Sequence, residues 1–191
     1  MLGRKPWGVG WLMFYTCREC FDDDDGDRWS GYLKWLGRLD IARLVTLDSM
    51  LCPPLVRIED DSDWGFAVCE DFMLDFFTDL GFVLARVTPF PRRLVLAAAL
   101  EPSAEDVSGF SLPGFDFAGF DLLDRQCCAS ALLNCGGFPD VFSIGELSTA
   151  TGLILSRERA LEIQRDLLRL HPENPHADCN VWALWRRVGA V

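Results

Sequence analysis

The chain has 191 residues, of which 50% are hydrophobic, and this apolar content excludes wholesale disorder. The formal net charge is −11, and no apolar run approaches the roughly 20 residues that a membrane-spanning helix needs. Because this charge repels phosphate backbones and anionic membranes, we expect neither nucleic acid nor a membrane as a partner, and we expect a basic protein instead.

The negative charge is concentrated in the first two-thirds of the chain. Residues 1–124 contain 22 acidic and 11 basic side chains, whereas residues 125–191 contain seven of each. Near the N-terminus, Pro6 and three glycines interrupt any apolar segment of the export type. A chain of this size does not need disulfides to stabilise its core, so the eight cysteines are expected to be reduced. We therefore predict one domain over residues 1–191, located in the cytoplasm.

In the first half of the chain, the pattern predicts one strand and two helices. Residues 11–17 are rich in aromatic and β-favouring side chains, which is typical of a strand. The aspartates of residues 22–27 repel one another, so this segment is expected to be a solvated loop. Apolar residues recur at three- and four-residue intervals in residues 30–39 and 70–87, and this spacing predicts two helices.

In the second half, strands are predicted on both sides of a helix. Residues 93–100 form a continuous apolar run of strand length, and residues 116–123 alternate as a strand does. The helix is predicted over residues 157–170, and a closing strand is predicted over residues 179–188. Residues 102–113 are expected to be a loop. This order predicts an α+β fold with a mainly antiparallel sheet and helices packed on one side.

The candidate partner-binding site is a group of aspartates. Asp71, Asp75 and Asp79 are four residues apart, so they would share one face of the predicted helix, where like charges reduce helix stability. One interpretation of these aspartates is a recognition stripe that docks into a basic cleft of a partner. The alternative is an ordinary solvated helix face. Preceding acidic residues enlarge the same surface: Glu59, Asp60, Asp61 and Asp63.

A rival interpretation is a cysteine- or zinc-dependent enzyme that uses Cys135, His176 and Cys179. Cys17 and Cys20 have the spacing of half a zinc site, but a second pair of soft ligands is distant in sequence. The alternative for these residues is a small buried cysteine and a histidine that bonds to the backbone. The sequence contains no Walker loop, HExxH, GxSxG or GxGxxG motif. We therefore expect no metal and no cofactor, and we favour a non-enzymatic binding protein.

Three segments resemble a group of small bacterial proteins: residues 119–124, 134–138 and 176–182. In overall character the chain resembles the immunity proteins that accompany bacterial polymorphic toxins, which are small, acidic and rich in aromatic residues. The resemblance implies that the chain neutralises a toxin by binding it. It is one of general character, and no functional residue is carried over from it.

Overall fold

The structure is a computed structural model that describes residues 13–19, 32–34, 36–38, 40–67, 76–87, 93–109, 111–125, 129–134 and 137–188. Its centre is one open antiparallel sheet of four strands: β1 (Met13–Glu19), β2 (Arg93–Leu100), β3 (Phe115–Asp124) and β4 (Cys179–Arg187). The spatial order is β1-β2-β4-β3, which places β2 and β4 in the middle of the sheet.

Three α-helices accompany the sheet: α1 (Leu80–Arg86), α2 (Ala104–Gly109) and α3 (Arg157–Leu170). Their apolar side chains, such as Val83 of α1 and Ile163 of α3, pack in one cluster with Cys17 and Val95 of the sheet. No helical residue belongs to the described cluster on the opposite sheet face, which irregular segments cover with Val45 and other apolar side chains. The fold is therefore α+β with the helices on one side.

The strands and the helix of the second half confirm the predicted pattern. Strand β2 has the predicted bounds and is buried along its whole centre. Helix α3 also has its predicted bounds, and the Ser156 side chain accepts a hydrogen bond from the backbone N–H of Arg159 at its start. Both patterns are long and regular enough to fix these elements locally. None of the helices in the described residues is both long and apolar enough to cross a bilayer.

The helix predicted over residues 70–87 is confirmed for Leu80–Arg86 and wrong for residues 76–79. Phe77 forms antiparallel bridges with Tyr15 and Ala67, and Phe76 lies in the core cluster on the opposite sheet face. Neighbouring side chains on opposite faces are the mark of an extended segment, and the helix begins only at Leu80. Residues 70–75 lie outside the described residues.

Two further predictions need correction. In the helix predicted over residues 30–39, residues 32–34 are helical, and Gly37 then adopts a positive φ of 70°. The backbone N–H of Arg38 bonds to the carbonyl of Leu33, which is the bond that closes a helix at a glycine. The loop predicted over residues 102–113 contains α2, which starts where Ser103 and Asp106 cap each other's backbone N–H groups.

A buried carboxylate on β3 joins three segments of the chain. Asp121 is fully buried, and its oxygens accept hydrogen bonds from the hydroxyls of Thr46 and Ser130, each at 2.6 Å. The same carboxylate also accepts the backbone N–H groups of Leu47 at 3.0 Å and Leu122 at 2.9 Å. Burial raises the pKa of Asp121 above its usual value, against the opposing effect of these bonds. Asp121 therefore holds two irregular segments against the sheet.

Asp48, also fully buried, extends this network on the irregular side. Its carboxylate accepts the backbone N–H groups of Met50 at 2.8 Å and Leu51 at 2.9 Å, which closes a tight turn. The other oxygen accepts the backbone N–H of Ser130 and the side-chain amide of Asn134, each at 2.8 Å. Asp48 and Asp121 thus satisfy backbone groups that no strand neighbour reaches.

We predict that Asp121→Asn lowers the free energy of unfolding by about 1 to 3 kcal/mol. Either orientation of the amide turns its NH2 group toward a backbone N–H, because each carboxylate oxygen accepts one from Leu47 or Leu122. The raised folded-state pKa means that the protonated form is favoured on folding. The contribution of Asp121 to stability is therefore largest at low pH and falls as the pH rises above about 4.

Urea denaturation at a series of pH values measures both effects. The control is Asp116→Asn, because Asp116 lies exposed on the same strand and its substitution should change stability by less than about 0.5 kcal/mol. Equal stability of the Asp121 and Asp116 variants at every pH would contradict the role given to Asp121.

Candidate partner-binding surface

The acidic segment before the first helix is fixed by one buried carboxylate. Asp63 lies in a 3-10 helix, Asp61–Gly65, and its side chain is 4% exposed. Its carboxylate accepts the backbone N–H groups of Glu59 at 2.9 Å and Asp60 at 3.2 Å. These backbone bonds, together with Arg86, hold the pKa of Asp63 below its usual value. Asp63 therefore acts inside the molecule and presents little surface to a partner.

Arg86, the last residue of α1, ties the same segment to the helix. Its guanidinium lies 3.0 Å from Asp63, 3.0 Å from Glu59 and 3.3 Å from Asp60. The side chains of Glu59 and Asp60 nevertheless stay more than half exposed. Since one guanidinium faces three carboxylates and Asp61 is also exposed, this surface keeps a strong negative charge.

Two exposed aromatic side chains follow these carboxylates in the chain. Trp64 is 59% exposed and Phe66 is 40% exposed, although folding favours the burial of such rings. Phe66 stacks on Phe82 of α1 with ring centroids 4.7 Å apart, and its carbonyl accepts the backbone N–H of Thr78 at 3.0 Å. We call Glu59, Asp60, Asp61, Trp64 and Phe66 the acidic–aromatic patch. The patch joins two exposed aromatic rings with three exposed carboxylates, which we call its charged rim, on a backbone segment that Asp63 and Arg86 fix.

The aspartates predicted from helical spacing do not form a continuous stripe through Asp79. Asp79 is the N-cap of α1, and its carboxylate accepts the backbone N–H of Phe82 at 2.6 Å. Because residues 76–79 are not helical, the spacing argument does not extend from Asp75 to Asp79. Asp71 and Asp75 lie outside the described residues, so their part in partner binding stays a prediction. Asp60 and Asp61 lie in the acidic–aromatic patch.

Among the residues of the rival enzyme interpretation, His176 bonds to a carboxylate outside that set. His176 lies 2.7 Å from Asp124 through its Nδ1, and Asp124 is buried while the imidazole is partly exposed. This is the geometry by which a carboxylate orients a histidine. Cys179 is buried, and burial raises the pKa of its thiol to about 12, so it is protonated at neutral pH and a poor nucleophile. Cys135 lies outside the described residues.

Within the described residues, the candidate zinc ligands do not form a metal-binding group. Cys17 is a fully buried residue of β1 that packs in the core, and burial raises the pKa of its thiol to about 11. Asp178 lies 3.2 Å from Arg125, in an ion pair at the surface. Within the described ranges no three histidine, cysteine or carboxylate side chains are grouped so that they would hold a metal ion. Cys20 is outside those ranges.

Sequence reasoning found the acidic part of the patch and missed its aromatic part. A tryptophan inside an acidic segment, between Asp63 and Gly65, was the available signal, because a large ring has no obvious core position there. Arg86 gave no signal, since its contacts with Glu59, Asp60 and Asp63 join residues more than 20 positions apart.

Comparison of the chain with protein-family models, with curated proteins and with solved structures found no match. The function must therefore be argued from the chain's own residues.

We predict that Cys17, Cys52 and Cys179 resist alkylation in the folded protein, because all three are buried. At pH 8 a thiol with a pKa of about 12 has only about one part in ten thousand as thiolate, against roughly a quarter for an ordinary cysteine. Iodoacetamide labelling with peptide mass spectrometry, in buffer and in urea, measures this protection. The urea sample is the control for labelling efficiency. Rapid labelling of Cys179 without urea would contradict its burial and would again make it a candidate nucleophile.

Proposed function

We propose that this chain is a cytoplasmic, non-enzymatic protein that binds and inhibits a basic protein partner, and that the partner is a toxin that the chain neutralises. The observation that supports this proposal is the acidic–aromatic patch. It combines an exposed tryptophan, an exposed phenylalanine and three exposed carboxylates on a backbone that Asp63 and Arg86 hold in place.

Trp64 is the apolar anchor of the proposed complex. Tryptophan is enriched among the residues that contribute most to protein–protein binding, because a partner pocket removes a large rigid ring from water. Trp64 is 59% exposed, so most of that gain is still open to a partner. Phe66 has one face covered by Phe82, with ring centroids 4.7 Å apart, so its position is set before a partner binds.

The carboxylates decide what kind of partner fits. Glu59, Asp60 and Asp61 form the rim, and rim charges act mainly on association rate and on the choice of partner. Their field adds to the net charge of −11 and steers a basic surface toward Trp64. A positively charged protein with an apolar pocket is the complement of this arrangement.

We predict that Trp64→Ala weakens the complex with the partner by at least tenfold, because the apolar anchor is lost. Affinity capture on the immobilised chain from an extract of the native host identifies the basic partner. Calorimetry with the purified partner then measures the dissociation constant of each variant. Met50→Ala is the matched control, since Met50 is 69% exposed and lies outside the patch, and it should leave the affinity unchanged.

The same complex tests the charged rim. Charge reversal at Asp61, which has no ion pair within the described residues, should slow association severalfold and reduce its salt dependence. Asp79→Lys is a less clean test because it also removes the cap of α1. If neither Trp64→Ala nor Asp61→Lys changes the binding of the purified partner, the patch is not the binding site. If the partner's toxicity persists when both proteins are co-expressed, the chain does not neutralise it.

A further inference from the structure

A cleft lined by arginines opens where the two central strands separate. The pairing of β2 with β4 ends at Leu96 opposite Arg186, whereas β1 still pairs with β2 as far as Arg93. The space beyond this point is a cleft of about 550 Å³. Leu94 and Val95 belong to its apolar lining. Its walls also carry four arginines: Arg43, Arg93, Arg186 and Arg187.

Three of these arginines lack the carboxylate partner that five other arginines of the described chain have. Arg38, Arg86, Arg125, Arg159 and Arg169 each form an ion pair with a carboxylate. Arg43, Arg186 and Arg187 form none within the described residues. Asp116 faces Arg186 in the register of β3 and β4, but no ion pair joins them. Among the described residues, no acidic side chain lines the cleft.

This grouping of like charges is not explained by folding. Guanidinium groups that border one cleft repel one another, and the repulsion is stronger beside low-dielectric protein than in open water. In a chain with a net charge of −11, carboxylates are abundant, yet none of those described neutralises Arg43, Arg186 or Arg187. A bound anion with more than one negative charge would offset the repulsion.

The chemistry and size of the cleft indicate the class of anion. A guanidinium offers parallel N–H donors that match two oxygens of a phosphate group, and several arginines together are typical of phosphate recognition. The volume of about 550 Å³ is in the range of small-molecule sites and exceeds what one phosphate ion fills. No aromatic ring of the described residues lines it for stacking on a base. The overall negative charge opposes nucleic acid and anionic membranes as occupants.

We propose that this cleft is a binding site for a small soluble organic phosphate, in which Arg43 and Arg186 hold the phosphate group. The exposed Ala42, Ala150 and Val188, which also line the cleft, supply apolar surface for the carbon skeleton of the ligand. The inference is independent of the partner-binding proposal, because the two use different residues.

Isothermal titration calorimetry on the full chain tests the site, in a buffer without phosphate. The probes are ribose 5-phosphate, inorganic phosphate and pyrophosphate, with ribose as the uncharged control. We expect one molecule of ribose 5-phosphate per chain and no binding of ribose. Arg186→Gln and Arg43→Gln should each weaken binding by about tenfold or more, since each removes hydrogen bonds to a charged group.

Arg57→Gln is the matched control, because Arg57 is exposed, lies outside the cleft and forms no ion pair within the described residues. It removes the same charge and should leave affinity unchanged. Arg43 belongs to an irregular segment, so Arg43→Gln separates loss of binding from damage to the sheet. Far-ultraviolet circular dichroism verifies that each variant is folded.

The outcomes are distinct. Binding of ribose 5-phosphate that is lost in the Arg43 and Arg186 variants and kept in the Arg57 variant supports the proposal. Binding of inorganic phosphate or pyrophosphate alone overturns the organic part of the ligand. Equal weakening in all three variants means a general charge effect and overturns the site, as does the absence of binding by every phosphate probe at millimolar concentration.

Discussion

The fold depends on two buried carboxylates that replace missing strand neighbours. Asp121 lies on a sheet strand, and Asp48 lies in an irregular segment that covers the sheet face away from the helices. Both carboxylates accept a hydrogen bond from Ser130. One network therefore connects β3 with two segments that have no regular hydrogen-bond ladder. Burying such segments is costly unless their backbone groups are satisfied. No lysine or arginine of the described chain neutralises these carboxylates, and the raised pKa of Asp121 shows the electrostatic cost of the arrangement.

At the surface, neighbouring carboxylates of one acidic segment differ in burial and therefore in what they contact. Asp63 is buried and fixes the local backbone, whereas Asp60 and Asp61 face solvent only a few residues away. Arg86 compensates part of this charge and connects the segment to α1. The exposed Trp64 thereby lies on a segment whose backbone these contacts fix. In the proposed complex, this order would reduce the entropy lost on binding.

The sequence predictions were correct where neighbouring residues encode an element and wrong where contacts between residues distant in the sequence decide it. Residues 93–100 and 157–170 were assigned correctly because a buried central strand and an amphipathic helix are each encoded by neighbouring residues. The helix predicted over residues 70–87 is wrong for residues 76–79 because Phe76 and Phe77 fit a helical pattern and also an extended one. The bridge from Phe77 to Tyr15 decided in favour of the extended form, and that contact spans more than 60 residues. Helix α2 was missed because it has no buried residue to mark it.

The sequence by itself determined the α+β class, the sign of the charge and its concentration in the first two-thirds of the chain. These properties depend on composition and on local periodicity, which folding does not alter. The tertiary structure alone decided which carboxylates are buried, which aromatic side chains stay exposed and which arginines share a cleft. Asp63 and Asp61 are chemically identical and two positions apart, yet one is enclosed and the other is exposed. Arg43 and Arg186 meet across 143 positions because the sheet places the end of β4 beside the segment that holds Arg43.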